Sequence, residues 1–158
     1  MAIWIHVLCR ARRDLTAAEL QDYIVGSELL DDPAVFSPAP NSIEARDPSW
    51  SAFAMKYARE LSPIEVRHWT SDDLIRPMLD EIIGRLTPPE RHRELIARLA
   101  ETRQAVVFIL PNDPPVDVWD ALDAAEAWLA REWDGLVVAE EGVYDADLNL
   151  LVPTAAVV

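Results

Sequence analysis

The stretch AVVFIL, residues 105–110, decides how this chain is expected to fold, because none of its side chains is polar. A strand that is apolar on both faces is typical of the centre of a sheet covered on both sides. A second run, Ile3–Cys9, lacks turn residues and is rich in residue types that favour β structure. We therefore expect the sheet to contain 105–110 as a central strand and Ile3–Cys9 as a mostly buried one.

Capping residues mark the starts of two helices. Thr16 and Glu19 have the spacing of a capping box, and the short helix that they open is expected to end near Gly26. The segment TPPE, residues 87–90, has the same spacing with a proline at the first helical position. It predicts a helix that runs to about Arg103.

Two further helices are indicated by a cap and by periodicity. Ser71 can cap a helix, but Pro77 removes a backbone hydrogen bond, so we expect a kink there or a start near Arg76. The last long helix is followed by Gly135 and has apolar residues at helical spacing. These residues are Val118, Leu122, Ala125, Leu129 and Trp133.

The remaining segments are rich in β-favouring residues or in proline. Residues 50–59 and 64–69 are predicted to form a hairpin, whereas the four prolines in 31–48 favour a loop or an irregular edge strand. Three short runs, 136–139, 143–144 and 148–152, predict a terminal hairpin or meander.

The resulting order of elements is β, α, β, β, α, α, β, α, β, β. It predicts one α+β domain over residues 1–158, a ferredoxin-like (split βαβ) plait with an extra C-terminal helix and β-hairpin. The alternative is an open three-layer α/β sheet that is partly parallel.

Charge and composition exclude several classes of protein. The net charge of −14 over 158 residues would repel nucleic acid and anionic lipid, so we expect neither as a partner. The apolar-then-basic order at the N-terminus is the reverse of a signal peptide, and Cys9 is the single cysteine, so we expect a cytoplasmic protein. The four glycines do not form a phosphate-binding loop, and we predict no cofactor.

Two small groups of residues invite a chemical interpretation that a simpler one outweighs. Cys9 beside His6 suggests a nucleophile and its base, but a single cysteine on an apolar strand is typical of a buried, inert thiol. Asp72, Asp73 and Asp113 follow strands, where oxygen ligands could hold magnesium. Helix capping explains them without a metal, and we predict no metal site.

Side-chain alternation predicts one polar patch on the sheet. If the polar faces of Ile3–Cys9 and 64–69 coincide, five residues line that patch: Trp4, His6, Glu65, Arg67 and Trp69. Such a patch could bind an anionic or aromatic ligand. A cross-strand ion pair with packed tryptophans is the alternative interpretation.

Negative charge is concentrated in the C-terminal third. Residues 105–158 contain eleven acids and one basic residue, Arg131, which gives −10 and leaves −4 for residues 1–104. Four acids and one tryptophan of the last long helix lie off its apolar stripe: Asp117, Asp120, Asp123, Glu126 and Trp128. This face is either a docking surface for a basic protein or a solvated helix face that aids solubility.

These features predict a non-enzymatic acidic binding protein that captures a basic protein partner. In size and charge alone, the chain is similar to the small acidic immunity proteins and antitoxins that neutralise basic nucleases. The alternative is a small-molecule-binding module or small enzyme of plait type that uses the sheet face around His6, Glu65 and Arg67. The apolar tail, residues 155–158, further suggests a homodimer.

Overall fold

The computed structural model describes residues 2–154 and contains one sheet with helices on both faces. The strands are β1 (Ile3–Cys9), β2 (Val35–Ser37), β3 (Ala52–Lys56), β4 (Ile64–Trp69), β5 (Gln104–Leu110), β6 (Gly135–Val138), β7 (Gly142–Tyr144) and β8 (Leu150–Pro153). The helices are α1 (Ala17–Gly26), α2 (Ile43–Arg46), α3 (Asp72–Gly84), α4 (Arg93–Ala100) and α5 (Val116–Glu132), with a 3-10 helix at Pro89–His92. The apolar tail, 155–158, lies outside the described residues.

The strand order is β2-β3-β4-β5-β1-β6-β7-β8, and every pairing within residues 2–154 is antiparallel. The protein is therefore mixed α+β with an open antiparallel sheet. Every residue of β5 is buried, which confirms the prediction for its apolar residues 105–110 and adds the polar Gln104.

The ferredoxin-like plait is not confirmed. A plait would pair β1 with β4, whereas β5 lies between these two strands. The three layers of the alternative are present, but its adjacent parallel strands are not found in residues 2–154. Strands β5 and β6 run parallel to each other only because each pairs antiparallel with β1, which separates them.

Two apolar cores lie on the two faces of the sheet. The larger one joins Val7, Phe108 and Val66 to helices α1 and α5. The smaller one joins Leu8 and Leu136 to helices α3 and α4. Because successive side chains of a strand point to opposite faces, β1 contributes to both cores.

The local predictions from capping and hydrophobic spacing are partly confirmed. The capping box of Thr16 and Glu19 is present, and the last long helix is α5, as its periodicity predicts. Helix α3 starts directly after its cap Ser71 and continues through Pro77, so the predicted late start is wrong. The predicted capping box at 87–90 is also wrong: a 3-10 helix without a side-chain cap forms there, and α4 ends at Ala100.

The β predictions outside the central strands are confirmed in their main features. Strands β3 and β4 form the expected hairpin, and β6, β7 and β8 form the expected meander. The proline-rich segment 31–48 contains edge strand β2 and the single-turn helix α2. In residues 2–154 no helix has both the length and the apolar character that a membrane span requires.

Candidate functional site

The polar sheet face predicted from alternation faces helix α3. Strand registers place Arg67 and His6 on either side of Val107, and Glu65 and Trp4 on either side of Ile109. A groove of about 620 Å³ between this face and α3 is lined by Trp4, His6 and Trp69 but not by Glu65 or Arg67. The five predicted residues therefore share a face, and three of them share a concave site.

His6 lies between two tryptophans in this groove. Its ring centroid is 6.2 Å from those of both Trp4 and Trp69. Burial lowers the pKa of His6 from its ordinary 6.5 to about 4, with smaller opposing effects of Glu81, which raises it, and Arg85, which lowers it. His6 is therefore a neutral imidazole at physiological pH.

Glu65 and Arg67 interact chiefly with each other. The Arg67 Nε donates to Glu65 Oε1 at 2.9 Å, and the Arg67 guanidinium carbon lies 5.7 Å from the Trp4 ring centroid. The ion pair therefore lies within strand β4 and not across two strands, as the alternative interpretation had it, whereas the packing of Arg67 on a tryptophan is present.

The predicted acidic docking face of α5 is not a continuous exposed surface. Asp120 is exposed, but Glu126 is only 3% exposed, so its predicted solvated position is wrong. Trp128 is half-buried and stacks on Tyr23 with the ring centroids 4.5 Å apart, so it is not the predicted exposed aromatic. Asp117 accepts a hydrogen bond from the Asp31 backbone N–H at 3.0 Å. Packing against α1 covers Trp128, which helical periodicity alone places at the surface.

Two of the predicted acids instead line a cleft between α5 and the C-terminal meander. The cleft has a volume of about 370 Å³, within the range of ligand sites. Its acidic residues are Asp123, Glu126, Glu140 and Glu141, and its aromatic residues are Trp119 and Tyr144. We call it the acidic cleft.

Glu126 is the buried acid of this cleft. Its Oε2 is buried and has no hydrogen-bond partner among residues 2–154. Burial, and secondly the charge of Asp123, raise the pKa of Glu126 well above the usual range of glutamate. The pKa of Asp123 is also raised, by burial and then by Asp120. A buried carboxyl without a partner in a cleft is a marker of a functional site.

The two aromatic residues of the cleft differ in how they are held. The Trp119 indole Nε1 donates to Asp113 Oδ1 at 2.7 Å, which fixes the ring. Burial, followed by the charge of Glu141, raises the pKa of the Tyr144 phenol. Carboxylates beside aromatic faces form the kind of site that recognises an ammonium or guanidinium group.

Sequence reasoning missed Glu140, Glu141 and Tyr144 as members of this site. The signal available in the sequence was the excess of acids after residue 105, which includes both glutamates. Their approach to α5 depends on strand β6, which follows α5 and carries them back along β1. A charge count does not contain that geometry.

The remaining groups with a predicted chemical role are the Cys9 thiol and three aspartates. Cys9 is 1% exposed, and burial, with a smaller effect of Asp134, raises the pKa of its thiol to about 12. Asp72 and Asp73 lie in the first turn of α3, and Asp113 accepts from Trp119. Across residues 2–154, no three His, Cys, Asp or Glu side chains converge as metal ligands.

Comparison of the chain with protein-family models, curated proteins and solved structures gave no match.

Proposed function

We propose that this chain is a non-enzymatic acidic binding protein that captures a basic protein partner by accepting a lysine or arginine side chain in the acidic cleft. The observation that carries the proposal is the buried Oε2 of Glu126, which lacks a hydrogen-bond partner within residues 2–154. An incoming cation would supply that partner. Leaving a buried carboxyl unpaired costs about 1–3 kcal/mol of free energy. A partner that donates a hydrogen bond to this carboxyl therefore gains a similar amount of binding free energy.

The charge distribution supports the same proposal. Residues 105–158 carry a net charge of −10, and this excess creates a field that attracts a basic partner from a distance. Asp123, Glu140 and Glu141 then provide the local negative charge at its walls. Acidic immunity proteins and antitoxins, which the chain resembles in size and charge, neutralise basic nucleases.

Binding of a cation is expected to release a proton. With its raised pKa, Glu126 retains its proton to a higher pH than an ordinary glutamate. A cation placed beside it favours the ionised form, so the proton leaves as the partner enters. This coupling distinguishes insertion into the cleft from attraction to the surface.

The test uses a lysine decapeptide as probe and two variants that each lose two acids. We expect Asp123→Asn with Glu126→Gln to weaken binding about tenfold or more and to lower the proton release measured by calorimetry in two buffers. Asp117→Asn with Asp120→Asn, outside the cleft, should only slow association at low salt. Equal effects of the two variants would show general charge attraction and contradict the proposal.

A second candidate is a small-molecule-binding module that uses the groove beneath α3. It is supported by the concave site that brings His6 between Trp4 and Trp69. Benzoate is a suitable aromatic anion, and its binding would quench tryptophan fluorescence in the wild type but not after His6→Ala. Unchanged quenching in that variant would exclude the groove.

A homodimer remains a proposal that the edge strand β8 supports. Leu150 and Leu151 are 51% and 44% exposed at this edge. Unpaired apolar edges favour pairing with a second copy. Light scattering should give the mass of a dimer at tens of micromolar, about the range of weak dimers, and a monomer there would contradict it.

A further inference from the structure

A pocket at the opposite end of β1 from the acidic cleft carries positive charge. It has a volume of about 600 Å³ and lies where β1 and β4 end and β5 begins. Its basic residues are Arg12, Arg13, Arg76 and Arg103. The chain has 28 acids against 14 basic residues, so four arginines around one pocket are a marked local reversal of charge. We call it the arginine pocket.

Three of these arginines have no carboxylate within 4 Å in residues 2–154. Arg76 Nη1 donates to the Ala100 carbonyl at 3.5 Å, and Arg103 Nη1 donates to the carbonyls of Glu101 and Thr102 at 3.1 and 3.3 Å. Carbonyl oxygens orient a guanidinium without cancelling its charge. Arg12 is exposed and has no ion pair among residues 2–154.

The fourth arginine is partly neutralised. Arg13 lies 3.7 Å from Glu132 and stacks over the Trp133 ring at 4.4 Å. Asp14 and Asp72 also line the pocket, but neither is within 4 Å of a described arginine. The lining therefore keeps an excess of positive charge.

The buried wall of the pocket is a hydrogen-bonded pair, His68 and Gln104. The Gln104 Nε2 donates to the carbonyls of Ala11 and Arg13 at 2.8 and 2.9 Å, so its Oε1 is the atom that faces His68 Nε2 at 2.8 Å. The other ring nitrogen, Nδ1, lies 3.2 Å from the Trp50 carbonyl oxygen. Both ring nitrogens of His68 thus lie within hydrogen-bond distance of an oxygen acceptor, which fixes the ring in the wall of the pocket.

We propose that the arginine pocket binds a small molecule that carries a phosphate monoester. Guanidinium groups match phosphate oxygens with paired donors, and four arginines around one pocket suit a dianion better than a single carboxylate. The volume leaves room for an organic group beyond the phosphate. This mode of binding uses side-chain charge, so it needs no glycine-rich phosphate loop.

The position of the arginine pocket makes it independent of the proposed protein-binding site. Ile3, at the start of β1, lines the acidic cleft, whereas Arg12 follows the end of the same strand. The two sites share no lining residue, so a variant at one is expected to leave the other unchanged. The outcome of each test can therefore be read separately.

The test is calorimetric titration of the full chain with ribose 5-phosphate, with ribose and inorganic phosphate as companion probes. We expect ribose 5-phosphate to bind with a dissociation constant of about 1 mM or below, inorganic phosphate to compete with it, and ribose not to bind. Backbone amide resonances of Thr70 and Gln104, which line the pocket, should shift on binding.

Matched arginine variants locate the site. Arg76 and Arg103 are exposed, so Arg76→Ala and Arg103→Ala should fold normally and each weaken binding about tenfold or more. Arg59→Ala removes the same charge from the loop before β4, at the other end of that strand, and should bind as the wild type does. Absence of ribose 5-phosphate binding, or an equal loss in Arg59→Ala, would overturn the proposal.

Discussion

Asp123 and Glu126 lie one helical turn apart on α5 and line the same cleft, yet only Glu126 is sealed from solvent, at 3% exposure. The charge of Asp123 adds to the burial that raises the pKa of Glu126. The pair therefore couples a partly solvated acid to a buried one. This relationship has a consequence for stability as well as for binding.

Glu126→Gln should stabilise the protein increasingly as pH rises. Because the folded pKa of Glu126 is raised, the unfolded chain loses this proton first, and wild-type stability falls as pH rises above the ordinary glutamate pKa of about 4.3. The variant lacks this loss. Urea unfolding from about pH 4 to neutrality should give equal free energies of unfolding for the variant and the wild type in acid. As the pH rises, the variant should become the more stable of the two.

The control for this experiment is Asp120→Asn on the same helix. Asp120 is exposed, so its substitution should change the free energy of unfolding by about 0.5 kcal/mol or less. A Glu126→Gln variant that is less stable than the wild type at neutral pH would contradict the assignment of Glu126 as an unpaired buried acid.

His6 should make the protein sensitive to acid. Its pKa is lowered from 6.5 to about 4 by burial, so its contribution to stability is complete above pH 6.5 and is lost as pH falls towards 4. His6→Leu should flatten the fall in the free energy of unfolding over this interval. His92→Leu, in the 3-10 helix, controls for the loss of a histidine, and parallel curves for wild type and His6→Leu would refute the expectation.

Gly135 is required by a close approach of backbone, not by a left-handed conformation. The positive φ after α5 belongs to Asp134, at 54°, whereas a Cβ at Gly135 would lie 2.9 Å from the Leu8 carbonyl oxygen. Gly135→Ala should therefore lower the free energy of unfolding by about 1–3 kcal/mol.

Gly84→Ala is the matched control for Gly135→Ala. Nothing lies within 4 Å of a Cβ at Gly84, the last residue of α3, so this variant should gain about 0.5–1 kcal/mol through helix propensity. Thermal unfolding of both variants measures the difference. Equal stability of the two would show that β1 and β6 can separate to admit a methyl group.

Cys9 should be inert in the native state. Its thiol is buried and its pKa is raised to about 12, so almost no thiolate is available at neutral pH. A thiol reagent should label Cys9 only as fast as the chain unfolds, with labelling accelerated by urea. Immediate labelling of the folded protein would show that β1 opens locally.

Local structure could be predicted where the deciding contacts join residues close in sequence. Strand Ile3–Cys9, the capping box of Thr16 and Glu19 and the helical spacing of α5 each depend on neighbours two to four residues apart. Alternation likewise placed Trp4 with His6 on one strand and Arg67 with Trp69 on another, because the period of a strand is a local property, whereas the coincidence of the two faces depends on β5 between them.

Only the tertiary structure decided which elements meet. The insertion of β5 between β1 and β4 excludes the plait pairing, and it follows from competition among all strands for the buried centre of the sheet. The burial of Glu126 depends on the meander that follows α5, and the arginine pocket gathers residues as distant in sequence as Arg12 and Arg103. Hydrophobic periodicity and charge counts describe interactions among residues that are close in sequence. The acidic cleft and the arginine pocket form only when distant segments of the chain pack together.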